Sequence, residues 1–275
     1  ILAVGAPLHN PDEDVNSSAD DSDPKAGYTQ IYRLSEDDST WTPLGNIIPG
    51  EAPGHESGTT LSLNGDGTIV VIGEPGGGTS SMVDGVPTSN LEGQTRIFQY
   101  DSVSDVWTQL GTTIIGEGNR DMSGSVSVSD SGDIVAVGAR RNSDVALNAG
   151  HARTFQLGST NDVDDGETEP PAASPTSDDQ SNEATVNTWT QLGQDLDGIA
   201  AGDEFGLMLE LSGDGNTLVV GARCHDITRD GNFLDNAGNA QIFVFDSETS
   251  QWTQRGPNLE GEGASDEFGQ DVSVS

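Results

Sequence analysis

The pair Trp-Thr recurs four times, at Trp41, Trp107, Trp189 and Trp252, each time at the same place in a longer unit. The separations are 66, 82 and 63 residues. Each unit runs through a short apolar stretch ending in Gly-Ala or a close variant, a variable loop, an aromatic stretch, and then the Trp. A self-similar period of this length, built from short strand-like segments, points to a repeat architecture rather than a single catalytic globule.

Four strands per unit follow from the aligned copies. The first alternates small or polar with apolar residues, as in Ser125–Ser129 and Asp271–Ser275, the period of a strand with one face against another layer. Glycine turns follow at Asn64-Gly65-Asp66-Gly67, Ser131-Gly132-Asp133 and Ser212-Gly213-Asp214-Gly215, chemistry that closes tight hairpins. The second strand is almost continuously apolar (Ile1–Val4, Ile69–Ile72, Ile134–Val137, Leu218–Val220), as expected when both faces are covered. The third begins after Gly27, Gly93, Gly150 and Gly238, and the fourth carries the Trp. Both are rich in aromatic and branched residues, which suit a sheet. Four-stranded antiparallel units repeated about an axis make a β-propeller. The chain opens on a second strand and closes on a first. It therefore either closes a ring by pairing Asp271–Ser275 with Ile1–Val4 or holds four blades' worth of a larger ring. The second alternative is favoured, with residues 1–275 forming one propeller or propeller fragment.

Composition removes several functions. There are 46 acidic and 10 basic residues, a net charge of −36, and phosphate backbones need Lys or Arg contacts, so nucleic acid is excluded as a partner. No run of about 18 apolar residues occurs, so no membrane insertion is expected in this segment. The single Cys224 cannot form an internal disulfide and is expected to be half-buried. Residues 158–188 carry eight acids, no base and a Pro/Ser/Thr-rich middle. They read as an insertion that cannot bury enough apolar surface to order itself.

The unit resembles the FG-GAP repeat of the integrin alpha N-terminal-type β-propeller. Phe205-Gly206 and Phe268-Gly269 match that family's first tag, with Ser57-Gly58 and Ser123-Gly124 as weaker forms. Gly5-Ala6-Pro7 matches its second tag. The resemblance implies an all-β propeller of four-stranded antiparallel blades, part of a ring of about seven. It also implies an extracellular or cell-surface location and use in adhesion or ligand display. The family's calcium loops are not reproduced, because Asn64–Gly67 and Gly213–Gly215 lack the first and last Asp.

Site candidates are sparse. Asp12, Asp14, Asn16 and Asp20 have the spacing of positions 1, 3, 5 and 9 of an oxygen-ligand loop, which makes calcium the one cofactor considered. Asn16-Ser17-Ser18 is also a glycosylation acceptor, a use of Asn16 that excludes the metal. The acids Asp121, Asp203 and Asp266 repeat before the Phe-Gly position, with His55 in the remaining copy, and are expected to accept loop amide bonds. Trp41, Trp107, Trp189 and Trp252, with Phe205, Gly206, Phe268 and Gly269, are structural repeat positions. The histidines His9, His55, His151 and His225 show no metal-ligand spacing, and no nucleophile or phosphate-loop motif occurs. The sequence therefore reads as a non-catalytic extracellular propeller for adhesion, matrix or filament assembly, with a protein or glycan partner on its loop face and self-assembly as a further expectation. A carbohydrate-binding propeller and the propeller domain of a larger secreted enzyme are the alternatives.

Overall fold

The computed structural model describes residues 1–9, 25–37, 39–78, 80–83, 86–159 and 187–275. Four separate antiparallel sheets account for most of them. Sheet 1 holds β1 (Leu2–Ala6), β2 (Tyr28–Leu34), β3 (Trp41–Pro43) and β4 (Ile48–Pro49). Sheet 2 holds β5 (Thr60–Leu63), β6 (Ile69–Glu74), β9 (Gln94–Asp101), β10 (Val106–Gln109) and β11 (Ile114–Ile115), with a side hairpin of β7 (Ser80–Val83) and β8 (Val86–Ser89) between β6 and β9. Sheet 3 holds β12 (Ser123–Val128), β13 (Ile134–Ala139), β14 (His151–Ser159), β15 (Asn187–Gln191) and β16 (Leu196–Asp197). Sheet 4 holds β17 (Met208–Leu211), β18 (Thr217–Ala222), β21 (Asn239–Asp246), β22 (Gln251–Gln254) and β23 (Leu259–Glu260), with a side hairpin of β19 (Ile227–Arg229) and β20 (Asn232–Leu234).

Strand geometry explains why the sheets pack in series. Successive residues point to opposite faces, so in β6 Val70 and Ile72 face back onto Ile31, Leu44 and Ile48 of sheet 1. Ile69 and Val71 face forward onto Val135, Val137 and Phe155 of sheet 3. The same arrangement joins sheet 3 to sheet 4, where Ala136, Ala152, Leu196 and Phe205 meet Leu218, Val220 and Phe243. Three apolar cores therefore lie between four sheets, and the continuously apolar second strand is the element that serves two of them.

A tryptophan locks each interface. The indole nitrogen of Trp107 donates to the Leu44 carbonyl at 2.9 Å, and that of Trp189 to the Leu110 carbonyl at 2.9 Å. The Trp252 indole donates to Thr154 Oγ1 at 2.8 Å, beside the Leu192 carbonyl. Each indole lies over a glycine of the preceding sheet: Gly45, Gly111 or Gly193, with φ of +71°, +75° and +77°. A Cβ at Gly45 would stand 2.7 Å from Trp107 Cδ1. Glycine is needed there for both the left-handed backbone and the close approach. Trp41, with no preceding sheet among the described residues, is exposed.

The structure corrects the expected architecture. Four distinct, unclosed sheets replace a closed β-propeller of four-stranded blades, and sheets 2, 3 and 4 have five strands each. The additional strands β4, β11, β16 and β23 arise because the chain kinks at the positive-φ glycine after the Trp strand, then returns to pair with the start of the third strand. Asp271–Ser275, read as a first strand, forms none, and Ile1–Val4 does not pair with it. The insertion at 158–188 lies almost wholly outside the described residues, as does the loop holding Asp12, Asp14, Asn16 and Asp20.

Candidate functional site

One end of the sheets collects the titratable side chains. The end of each second strand, the start of each third strand and the loop into the next sheet converge there, joined by parallel bridges Gly27–Ser57, Gly93–Ser123, Gly150–Phe205 and Gly238–Phe268. His55, His151 and His225 therefore share an end of the molecule although they occupy different elements. Three clusters result, and they differ in whether their own donors satisfy them.

The first cluster is closed. Glu74, fully buried at the end of β6, accepts from Arg96 Nε at 2.7 Å and again from the second guanidinium nitrogen. Its other oxygen accepts from Gln94 Nε2 at 2.6 Å and lies 3.3 Å from His55 Nδ1. Gln94 also donates to Glu51 at 3.0 Å. Burial alone would raise the Glu74 pKa, but the His55 bond and the Arg96 charge outweigh it and hold the carboxyl below its ordinary value. Glu51, His55 and Glu74 are close enough to share an ion, yet the Gln94 amide and Arg96 already occupy the carboxylate. A buried charge this fully paired is a structural clamp.

The second cluster is open. His151, the first residue of β14, is 1% exposed, and neither ring nitrogen has a hydrogen-bond partner. Its Nδ1 lies 3.7 Å from Glu117 Oε2, and ligand atoms of Glu117, Asp144 and His151 fall within 4.8 Å of one another. Arg153 holds the opposite Glu117 oxygen at 3.0 Å and donates to the Ile115 carbonyl at 3.0 Å. Asp197 stands across the strand pair from His151. Burial, then the Arg153 charge, lowers the His151 pKa to about 4, so the ring is neutral at pH 7 with a lone pair to offer. The Glu117 pKa is raised by burial and by repulsion from Asp195, Asp144 and Asp121, against the opposing Arg153 charge. Asp197 is raised for the same reasons, burial first. Arg153 offsets the burial and repulsion at Glu117 only in part, whereas His55 and Arg96 more than offset the burial of Glu74.

The third cluster is an ion pair. His225 Nδ1 lies 3.1 Å from Asp203 Oδ2, off the line of a good hydrogen bond. The Asp203 contact nonetheless raises the His225 pKa, against burial. Nearby, Arg223 binds Glu204 at 3.0 Å, and Cys224 is half-buried with its thiol pKa raised by burial and the Glu204 charge.

The repeated acids do accept loop amides. Asp121 takes the Gly118 amide at 2.8 Å, Asp203 the Ile199 and Ala200 amides, and Asp266 the Glu262 and Gly263 amides. Of the repeat positions, Phe205 is fully buried and Phe268 is exposed, while Gly206 and Gly269 have φ of +84° and +86°. In the loop that carries β19 and β20, Asp226 accepts the Asn236 backbone amide at 2.8 Å and Asp235 accepts from the Asn236 side chain at 3.0 Å. Glu117 lies in a different loop from Asp144, which precedes His151 by seven residues, and the one sequence signal was a histidine where the other copies carry Tyr28, Gln94 and Asn239.

No protein-family model matches the chain, and no curated protein is similar to it. Among solved structures, a candidate 6-phosphogluconolactonase of Bacteroides uniformis is similar with a TM-score of 0.48 at 12% identity, covering 88% of this chain and 51% of that one. A second, from Bacteroides fragilis, has a TM-score of 0.36 at 13% identity, covering 86% of this chain and 66% of that one. The chain thus spans about half the length of the first. The expected FG-GAP, integrin-type resemblance is corrected: no family model matches the chain, and its four sheets are separate and unclosed. The expectation of a non-catalytic adhesion propeller rested on that resemblance and does not stand without it.

Proposed function

We propose that the protein binds a divalent transition metal through Glu117, Asp144 and His151. The observation that carries the reading is the buried, neutral His151, unpartnered at both nitrogens and facing two carboxylates that repel one another. Imidazole nitrogen as a ligand favours zinc and its neighbours over calcium, which prefers six to eight oxygens. Ligand atoms around a tetrahedral zinc stand roughly 3.3 Å apart, so small rotations of the exposed Glu117 and Asp144 side chains suffice. Arg153 acts as the outer partner, orienting Glu117 from its far oxygen, as outer partners do at metal sites. Three protein ligands leave a position open to water or an oxygen-bearing ligand.

Titration of the whole chain with ZnCl2 at pH 7, in calorimetry with excess magnesium to occupy weak acidic sites, tests this. The expected outcome is one site per chain, weakened at least about tenfold in His151→Ala and retained in His55→Ala. Equal binding by both variants and the parent overturns the assignment.

A further inference from the structure

The Glu74 clamp of sheet 2 and the His151 cluster of sheet 3 occupy the same place in the repeat. Gln94 and His151 each open a third strand, with Arg96 and Arg153 two residues further on. Glu74 and Ala139 each close a second strand and pair opposite Gln94 and His151. Ser57 and Ser123 make the parallel bridges to Gly27 and Gly93, and Glu51 and Glu117 each precede that serine by six residues. The two guanidinium groups even share a pose. Each lies 5.2 Å from a ring centre, of Phe98 or Phe155, and each donates to a carbonyl, Pro49 at 2.7 Å or Ile115 at 3.0 Å.

What differs is the carboxylate. In sheet 2, Glu74 accepts from Arg96 Nε and Gln94, and the Ser57 hydroxyl adds to its stabilisation. In sheet 3, alanine replaces that glutamate, and the equivalent donors are left over. Arg153 Nε, Ser123 Oγ and both His151 ring nitrogens are buried without a hydrogen-bond partner among the described residues. These three residues are 5%, 1% and 1% exposed. Arg153 uses its other nitrogens on Glu117 and the Ile115 carbonyl. Asp121, in the place of His55, is turned to the Gly118 amide at 2.8 Å and the Asn142 side chain at 3.2 Å. Leaving one buried donor unpaired is costly, and orphans that all belong to one cradle call for a common acceptor.

We propose that the His151 site takes a ligand bearing a small monocarboxylate, received by Arg153 Nε, Ser123 Oγ and the His151 ring in the place that Glu74 fills in sheet 2. This rests on the metal reading above. Zinc and Arg153, set against Glu117 and Asp144, leave a single net positive charge that a monocarboxylate balances. Asp121 and Asp195 already accept neutral donors, the latter from Gln191 at 2.7 Å. Whichever His151 nitrogen binds the ion, the other keeps its hydrogen and donates to the carboxylate. The Arg153 fork adds a charge-assisted bond. Glu117 and Asp144 are exposed and mark the side from which the ligand enters. The atoms by which a glutamate side chain exceeds that of alanine are those of acetate, which makes acetate the probe.

Calorimetric titration of sodium acetate at pH 7 into the whole chain, loaded with stoichiometric zinc and freed of excess, tests the proposal. Acetamide serves as the neutral isostere. The expected result is a single acetate per chain, with acetamide at least about tenfold weaker because it forgoes the charge-assisted bonds. Zinc-loaded Arg153→Lys keeps the charge but loses the fork, and should bind acetate at least about tenfold more weakly. Ala139→Glu supplies the carboxylate from the chain itself, so acetate should no longer bind. The comparison of acetate with acetamide on the parent chain needs no variant to fold. A parent chain that binds no zinc removes the metal reading and this one with it. Zinc bound without acetate, acetate and acetamide bound alike, or acetate bound equally by the parent and Arg153→Lys overturns this proposal alone and leaves the metal site standing.

Discussion

Replacing one repeat tryptophan at a time by alanine separates interface packing from the intrinsic preferences of the strand. Trp107, Trp189 and Trp252 are almost completely buried and each donates an indole hydrogen bond to the preceding sheet. Loss of such a ring from a core costs about 3–5 kcal/mol, and stranding the buried acceptor adds about 1 kcal/mol. Trp41 occupies the same register but is half exposed, so its truncation removes about 1 kcal/mol of burial. For a chain of this size 1 kcal/mol shifts Tm by about 2–4 °C. Calorimetry in dilute, low-salt solution should therefore show the three buried variants melting roughly 10 °C or more below the parent, and Trp41→Ala only about 3 °C below. Four equal shifts would refute the argument, because they would mean that the tryptophans act within their own sheets rather than between neighbours.

Other outcomes follow from the same geometry. Glu74→Gln leaves the buried Arg96 without its counter-charge and should cost about 3–5 kcal/mol in urea denaturation. Since the folded Glu74 pKa is lowered from 4.5, its contribution is present above that value and lost as pH falls through the lower folded value; the variant should show a shallower acid limb. The raised pKa of His225 works in the opposite sense: its stabilisation is full below 6.5 and disappears as pH rises through the folded value. In His225→Gln the fall of Tm on the alkaline side of 6.5 should flatten. Gly45→Ala and Gly256→Ala both force an L-residue into the left-handed region, costing about 1 kcal/mol. Only Gly45→Ala also drives a Cβ into an indole, worth about 1–3 kcal/mol more by chemical denaturation.

How far the sequence could be read depended on whether a residue's role was local. The β-strands were legible because alternation, turn glycines and apolar runs record the environment of each short segment, and the third strands do begin after Gly27, Gly93, Gly150 and Gly238. The short strands β4, β11, β16 and β23 were missed, since two residues hold too little pattern to count. The clamp at Glu74 and the open cluster at His151 were also missed. Their members come from a loop and one or two strands, and no spacing along the chain announces that meeting.

The repeat, its strand content and the reason for each glycine-bounded turn were written in the amino-acid order, because backbone sterics and side-chain alternation act over a few residues. Closure was not: whether the sheets complete a ring depends on the sum of the rotations between them and on which faces find a partner, quantities no single unit encodes. Tertiary structure alone also distinguished the two histidine–carboxylate clusters. Both have the residue types of a metal site, but Gln94 and Arg96 reach into one and nothing among the described residues reaches the ring nitrogens of the other. That difference rests on contacts of a few ångströms between segments distant in the chain, and only folding brings those segments together.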